Sequence, residues 1–215
     1  MATVKQFFLF SFFAVLFFPF GVMAADDGLS DELVRRISSA AQHVETLSSD
    51  FTQEKYLSMF EEKLVSTGQF YYQRPDRLRW ELLEPIGSGF VLNGDGGRRW
   101  HQRIPDSEPF KLDQDRAMAL IAEQLFAWAK ADLGWLQQNY QMTAVQQQPI
   151  QLRLIPRAAD AGFLSYLLIT FSASDRYVSA VEIHESDGDY TRINFSNTQV
   201  NSEIAERLFT ERSRI

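Results

Sequence analysis

Strict alternation runs through Arg77-Leu78-Arg79-Trp80-Glu81-Leu82. It sets Leu78, Trp80 and Leu82 on one face of a strand and Arg77, Arg79 and Glu81 on the other, where a salted, solvent-facing surface is the expectation. Just before it, Pro75 fixes its own φ and biases Arg74 towards an extended backbone, which predicts a turn at 73–76. Leu64 to Tyr72 has strand composition, so the two segments read as an antiparallel hairpin with an arginine at its corner. Upstream, Leu33, Ile37, Ala40, Ala41, Val44 and Leu47 recur at helical spacing and predict an amphipathic helix over 29–47. Ser30 or Asp31 can cap its start. A helix with one apolar stripe needs a sheet to lie against.

Further strand-like segments lie at 50–57, 90–92, 98–103, 140–145, 150–155, 163–172, 176–185 and 190–199. Their close spacing predicts an antiparallel meander. Asn93-Gly94-Asp95-Gly96-Gly97 and Ser186-Asp187-Gly188-Asp189 supply turns. Gly87-Ser88-Gly89 also reads as a turn, because a dinucleotide loop needs another glycine and a strand–helix setting. The stretch 104–113, with Pro105 and Pro109, is expected to be a loop. Residues 115–138 then turn helical, with Met118, Ile121, Leu125 and Trp128 on one stripe and Gly134 as a dividing point. Such an insert is either a lid or ordinary core cover. The segment 163–172 is apolar on both faces: Phe163, Leu167, Ile169 and Phe171 oppose Leu164, Tyr166 and Leu168. It therefore calls for cover on both sides or a cavity on one.

The amino end places this meander outside the cytoplasm. Lys5 precedes an apolar run over 7–18, too short to span a bilayer; Pro19 and Gly21 break it, and Val22-Met23-Ala24 follows. That pattern predicts a secretory signal peptide cut after Ala24, leaving residues 25–215 as one domain. Zero Cys excludes a lipid anchor through an N-terminal cysteine, disulfides, thiol catalysis and thiolate metal sites. Losing residues 1–24, with one Lys and no acid, moves the net charge from −7 to −8. An acidic surface argues against nucleic acid or anionic membrane as a partner.

Catalytic chemistry is not indicated. His43, His101 and His184 lack metal-ligand spacing, and no Gly-x-Ser-x-Gly elbow, phosphate loop or His-Glu-x-x-His occurs. Glu61-Glu62 and Asp187/Asp189 fall in turns, where solvation accounts for them. Asn194-Phe195-Ser196 matches a glycosylation sequon but sits inside an alternating strand. A hydrolase assembled from distant residues is the least favoured reading, and no cofactor is implied.

Several motifs stand in a specific order: Asp50-Phe51-Thr52-Gln53-Glu54-Lys55, Gly68-Gln69-Phe70-Tyr71, and Arg74-Pro75-Asp76-Arg77-Leu78-Arg79-Trp80. Pro85 and Asn93-Gly94-Asp95-Gly96 precede Trp100, and Gly188-Asp189-Tyr190-Thr191-Arg192-Ile193 leads to Asn201 and Phe209. In this the chain resembles the periplasmic outer-membrane lipoprotein carriers, the LolA family, over nearly its whole length. The resemblance implies an unclosed antiparallel β-barrel, mainly β with covering helices, around an apolar cavity for acyl chains. It implies that Arg74 holds a helical lid shut by hydrogen bonds, and that Leu78 and Trp80 face the cavity. Phe70, Tyr72 and Leu82 of the hairpin, Leu33 and Ile37 of the first helix, and Met118, Ile121 and Leu125 of the insert are expected to line it too.

The same resemblance implies a monomer carrying an acylated lipoprotein or related lipid. An inner-membrane export complex would be the donor and an outer-membrane receptor the acceptor. The chain departs from the best-known carriers after Phe209, where only Thr-Glu-Arg-Ser-Arg-Ile follows, and its helical insert is longer and richer in Trp and Gln. Two further readings stay open: a carrier of a glycolipid or polyene-type lipid, and a half-barrel periplasmic sensor that binds a regulatory protein.

Overall fold

The computed structural model describes residues 29–157 and 164–210. The expected signal peptide and Phe163 lie outside the described residues. In chain order the elements are α1 (Asp31–Ala41), β1 (Thr46–Leu57), β2 (Glu62–Gln73), β3 (Arg77–Glu84), β4 (Ser88–Asn93), β5 (Gly96–His101) and β6 (Glu108–Lys111). Next come α2 (Arg116–Lys130), α3 (Leu133–Asn139), β7 (Tyr140–Gln147), β8 (Ile150–Pro156), β9 (Leu164–Phe171), β10 (Val178–Glu185) and β11 (Tyr190–Val200). A 3-10 turn, Glu206–Phe209, follows. Among the described residues no helix is long and apolar enough to cross a membrane.

The strands form one 11-stranded sheet in the order β6-β5-β4-β3-β2-β1-β11-β10-β9-β8-β7, antiparallel throughout. Every neighbour is a hairpin partner in sequence except β1 with β11. The sheet is an unclosed barrel whose free edges are β6 and β7. These two edges are consecutive strands, and the chain between them is α2 and α3. The inserted helices therefore connect one lip of the opening to the other.

Four boundaries differ from the sequence expectation. The first helix stops at Ala41, with Gln42 closing it onto the Ser38 carbonyl. Val44 and Leu47 continue its apolar spacing but leave the helix. From Thr46 the backbone pairs on one side with Gln73 of β2, and at Leu47 with Val200 of β11 on the other. Two ladders outweigh a further helical turn here, and Val44 and Thr46 are β-branched. Ser30 does cap the start, accepting a hydrogen bond from the Leu33 N–H.

Residues 108–111, expected as loop, form the edge strand β6, and Pro109 is tolerated because an edge has one side without a ladder. Ser88 and Gly89 begin β4 instead of making a turn. Gly89 is needed for close approach: a Cβ there would stand 2.5 Å from the Trp80 carbonyl oxygen and 2.9 Å from the Trp100 ring. The insert divides at Ala131, whose φ is 49°, and at Asp132, which accepts from the Trp135 N–H to cap α3. Gly134 lies inside α3.

The core fills the concave face, where α1 and α2 pack on inward positions of the strands. Leu167, Ile169 and Phe171 of β9 point into it, and Leu164, beyond a register shift, packs against it too, whereas Tyr166 and Leu168 are half-buried on the convex side. There Tyr166 is covered by the Arg153 guanidinium, 4.2 Å above its ring, and by His184, stacked at 4.3 Å. The two apolar faces of this strand thus get their cover in different ways.

The charged face of β3 is the largest correction. Arg79 and Glu81 are each 1% exposed. Arg79 donates from Nε and Nη2 to Oε2 of Glu81 at 3.0 and 2.8 Å, and from Nη1 to the Leu208 carbonyl at 2.9 Å. Its guanidinium lies 4.7 Å over the Trp100 ring. Residues 201–210 run back across the convex side of β3 and β4 as a strap, with Phe209 buried at 1% exposure. Asn201 starts the strap by accepting from the Glu45 N–H and donating to the His43 carbonyl, both at 2.8 Å.

Candidate functional site

The concave face carries a cluster of four aromatic rings. Gly68 of β2 stands directly opposite Phe51 of β1. A side chain at Gly68 would collide with the Phe51 ring and the Glu81 carbonyl. Its absence lets Phe51 reach across β2 and stack on Trp80 of β3, centroids 4.1 Å apart at 28°. Phe70 meets the Trp80 ring at 5.9 Å, and Phe195 of β11 meets Trp80 at 6.2 Å and Phe70 at 5.8 Å. Edge-to-face and offset pairs of this kind suit the ring quadrupoles. Trp80, Leu82 and Phe195 are only partly buried, so the cluster has an exposed side.

Most of the residues expected to line a cavity meet here. Leu33, Ile37, Phe70, Tyr72, Leu78, Met118 and Leu125 are buried in one continuous cluster, with Trp80 and Leu82 packed against it. Ile121 does not join them; it is 44% exposed. Along α2, Met118, Ala122 and Leu125 are buried at single positions on one stripe, whereas the last turn is enclosed, with Ala127, Trp128 and Ala129 all buried. Stripe counting treats both halves alike, and so favoured Ile121 over the smaller Ala122. Phe51, Phe195 and Tyr177 belong to the site and were not singled out. The parity of Phe51 with Leu47, and of Phe195 with Ile193, was the available signal.

The helices leave little empty space. The cavity lined by Leu47, Phe70, Leu125, Trp128, Tyr177 and Phe195 measures about 20 Å³, roughly the room that one water needs. Beneath α2 the concave face is nearly filled in this conformation. A wider, open cleft of about 420 Å³ separates α1, at Val34 and Ser38, from the α2–α3 junction at Lys130 to Leu133, and Arg74 lines it.

Arg74 bonds to the turn after α1, not to the inserted helices. Its Nε donates to the Val44 carbonyl at 2.7 Å, and its backbone N–H donates to the Glu45 carbonyl at 2.9 Å. The Glu45 carboxylate lies 4.0 Å from the same Nε, with that side chain 65% exposed.

The enclosed walls also carry polar atoms without partners. They are the Tyr72 hydroxyl, the Trp128 indole Nε1 and the Gln124 Nε2. Burial pushes the Tyr72 phenol up to about 12, although the Arg74 charge works in the opposite direction. Gln124 is held by its other atom, Oε1, which accepts from the Tyr140 hydroxyl at 2.6 Å.

Two other charged clusters have structural partners. Glu185, Asp187 and Asp189 bring their carboxylates together at the β10–β11 turn. Asp189 accepts from both the N–H and the Oγ of Ser58, each at 2.8 Å, which ties that turn to the turn after β1. The backbone bond from Ser58 is the main reason its carboxyl is held below the ordinary range. His184 pairs with Glu182 at 3.0 Å beneath Tyr166. Asn194-Phe195-Ser196 lies within β11, as its alternation indicated.

Residues 42–212 match the model of a family described as outer membrane lipoprotein carrier protein LolA. The outer-membrane lipoprotein carrier protein of Methylococcus capsulatus is 24% identical over 176 residues, covering 81% of this chain and 80% of the relative. Among solved structures, an uncharacterized conserved protein from Thermus thermophilus superposes with a TM-score of 0.54 at 10% identity, covering 85% of this chain and 93% of its own. The Pseudomonas aeruginosa MucA/MucB complex gives a TM-score of 0.51 at 14% identity, over 84% of this chain and 60% of that one. At such identities the two structures attest the fold.

Proposed function

This chain belongs to the outer membrane lipoprotein carrier protein LolA family, and from that premise we propose that it is a periplasmic, non-enzymatic carrier that shields the acyl chains of lipoproteins. It takes them from an inner-membrane export complex and yields them to an outer-membrane receptor, acting as a monomer and without a cofactor. The observation that carries this reading is the nearly filled concave face. Apolar residues of ten strands form one cluster with those of α1, α2 and α3, and α2 and α3 are the chain that links the two free edges of the open sheet.

The physical requirement is steep. Each exposed acyl CH₂ costs about 0.8 kcal/mol in water, so a multiply acylated lipid needs cover for its whole passage. Apolar burial is non-directional, and one face can accept chains of different length. The 20 Å³ interior admits none of them as it stands. Loading therefore requires α1 or α2 to move off Leu78, Phe70 and Trp80, with acyl chains taking the place of helix side chains. Because the apolar contacts of the shut and loaded states are alike, the balance between them rests on a few polar bonds, and Arg74 makes one of these. Release occurs where the receptor offers deeper burial.

Trp80 reports on the event. In a variant whose only tryptophan is Trp80, a brominated fatty acid is expected to quench its emission in a saturable way. Mass spectrometry of the protein isolated natively from periplasm is expected to show bound acylated lipoprotein. Absence of both quenching and acylated co-purifying material would remove the carrier reading. A glycolipid or polyene-type lipid at stoichiometric level would redirect it, and a bound regulatory protein would point to a sensor.

A further inference from the structure

β2 runs on past its neighbour β3. Residues 62–66 pair with β1, from Glu62 opposite Leu57 to Ser66 opposite Gln53, whereas the ladder to β3 begins only at Thr67, opposite Glu84. β3 ends at Glu84, ahead of Pro85, and no strand continues its lane. Among the described residues, no hydrogen bond from outside the β1 ladder reaches the backbone of residues 62–66. Five residues, about 16 Å of strand, are thus laddered on one side only.

The side chains of this overhang are not those that blunt an ordinary edge. Leu64 and Val65, at its middle, are each 53% exposed and turn to opposite faces. Met59 and Phe60, in the turn after β1, are 85% and 65% exposed, at positions where polar residues are usual. Its one lysine, Lys63, is paired with Glu54 of β1 at 3.8 Å. The other flank of the hairpin is fixed: Tyr56 is in register with Tyr190 of β11 and stacks on it at 5.2 Å, and Ser58 is tied to Asp189. A held strand therefore presents open backbone groups with apolar side chains on both faces, the form that accepts an added strand.

Charge selects the occupant. Glu61 and Glu62 stand at the tip of the overhang and Glu84 at its base. All three are exposed, and none has an ion-pair partner among the described residues. Hydrocarbon cannot satisfy open backbone groups, and the carboxylates are repelled by an anionic lipid surface. Two copies paired antiparallel about Leu64 would set Glu61 opposite Thr67, the place that Glu84 already holds. We propose that residues 62–66 are a docking edge for a partner protein, which adds an extended segment in the lane that β3 leaves, aliphatic in its middle and with Lys or Arg at both ends. The carrier reading of the concave face stands or falls separately.

The probe is a labelled peptide of alternating Val and Thr with Lys at both ends, titrated against the whole protein. It is expected to bind about tenfold tighter than the same peptide with Glu at its ends, through cross-strand charge pairs, and to slow hydrogen exchange within residues 62–66. Backbone N-methylation, which removes ladder donors and keeps the charge, is expected to weaken binding about tenfold. Leu64→Lys with Val65→Lys, at exposed positions that leave the melting temperature near wild type, is expected to abolish binding. Glu61→Lys with Glu62→Lys is expected to erase the preference for Lys over Glu. No binding, equal binding by the N-methylated peptide, or protection at β6 or β7 in place of residues 62–66 overturns the inference. Adsorption to phosphatidylcholine vesicles that Met59→Ser with Phe60→Ser abolishes would assign the tip to a lipid surface. A wild-type dimer that Leu64→Lys with Val65→Lys separates would assign the edge to a second copy. Either result also overturns it.

Discussion

Replacing Arg74 by Leu removes one bond from the shut conformation and leaves its apolar contacts in place. The bond lost is Nε to the Val44 carbonyl, 2.7 Å long, from a side chain 35% exposed. A hydrogen bond from a charged group contributes about 1.5–3 kcal/mol, and this degree of exposure puts Arg74 near the lower figure. The Glu45 carboxylate at 4.0 Å adds little, since it is largely exposed. The backbone N–H of residue 74 still donates to the Glu45 carbonyl, so the turn keeps one tie. A loss of about 1.5 kcal/mol corresponds to roughly a tenfold change in the shut-to-open ratio. Arg74→Leu is therefore expected to fold, load cargo and release it about tenfold more slowly to outer-membrane acceptor, while Arg74→Lys, which keeps the charge and loses the planar fork, falls between. The assay is retention and transfer of labelled lipoprotein, beside a melting curve. Transfer by Arg74→Leu at the wild-type rate, whatever its melting temperature, would falsify the latch.

The buried pair on the convex face makes a separate prediction: Arg79→Met or Glu81→Leu alone costs about 3–5 kcal/mol, whereas the double variant costs much less than their sum. Urea titration measures all three, and additive losses would show that the two side chains act independently. A thiol-to-thiol cross-linker joining cysteines placed at Ser38 and Leu133, across the cleft between α1 and α3, is expected to abolish loading without lowering the melting temperature. Full loading in the linked form would mean that the helices are fixed packing. With Tyr72 raised from 10 to about 12 by burial, its neutral form favours the fold, a contribution complete below pH 10 and lost as pH climbs through 12. Melting temperature in that window should fall less steeply for Tyr72→Phe than for wild type, and parallel curves would contradict the assignment.

Local pattern and long-range packing were legible to different degrees. Alternation located most of the strands from Asp50 onwards because most of them turn one face into the core, and a two-residue period records that directly. The same signal misled at Val44 and Leu47, which point inward whether the chain is helical or extended, so spacing alone could not mark the end of α1. Arg79 and Glu81 look like solvent-facing charges from their neighbours in sequence. They are buried by Leu208 and Phe209, which lie far along the chain and close over them only once the sheet exists. β6 was hidden by Pro109, a residue acceptable at an edge, and nothing local told that Glu108–Lys111 would be an edge. Of the site, the parity of Leu78 and Trp80 came through. The clearance at Gly68 that admits Phe51 depends on three strands at once.

The order of strands has a consequence for how the chain reaches this state. Nine of the ten neighbouring strand pairs in the sheet are consecutive in sequence, but β1 also pairs with β11, and Phe51 is in register with Phe195. Closing a loop of about 140 residues costs on the order of 4 kcal/mol in chain entropy before the ladder returns anything. A chain emerging amino end first can build the β1-to-β6 ladder early, yet β1 keeps an uncovered edge, with Leu47 and Phe51 along it, until its last strand arrives. Contacts so distant in sequence form slowly, and the waiting edge is a template for pairing with another molecule. Folding of this protein is thus expected to make its heaviest demand on chaperones in the interval before β11 docks, and that demand should rise with any change that slows the β10–β11 hairpin.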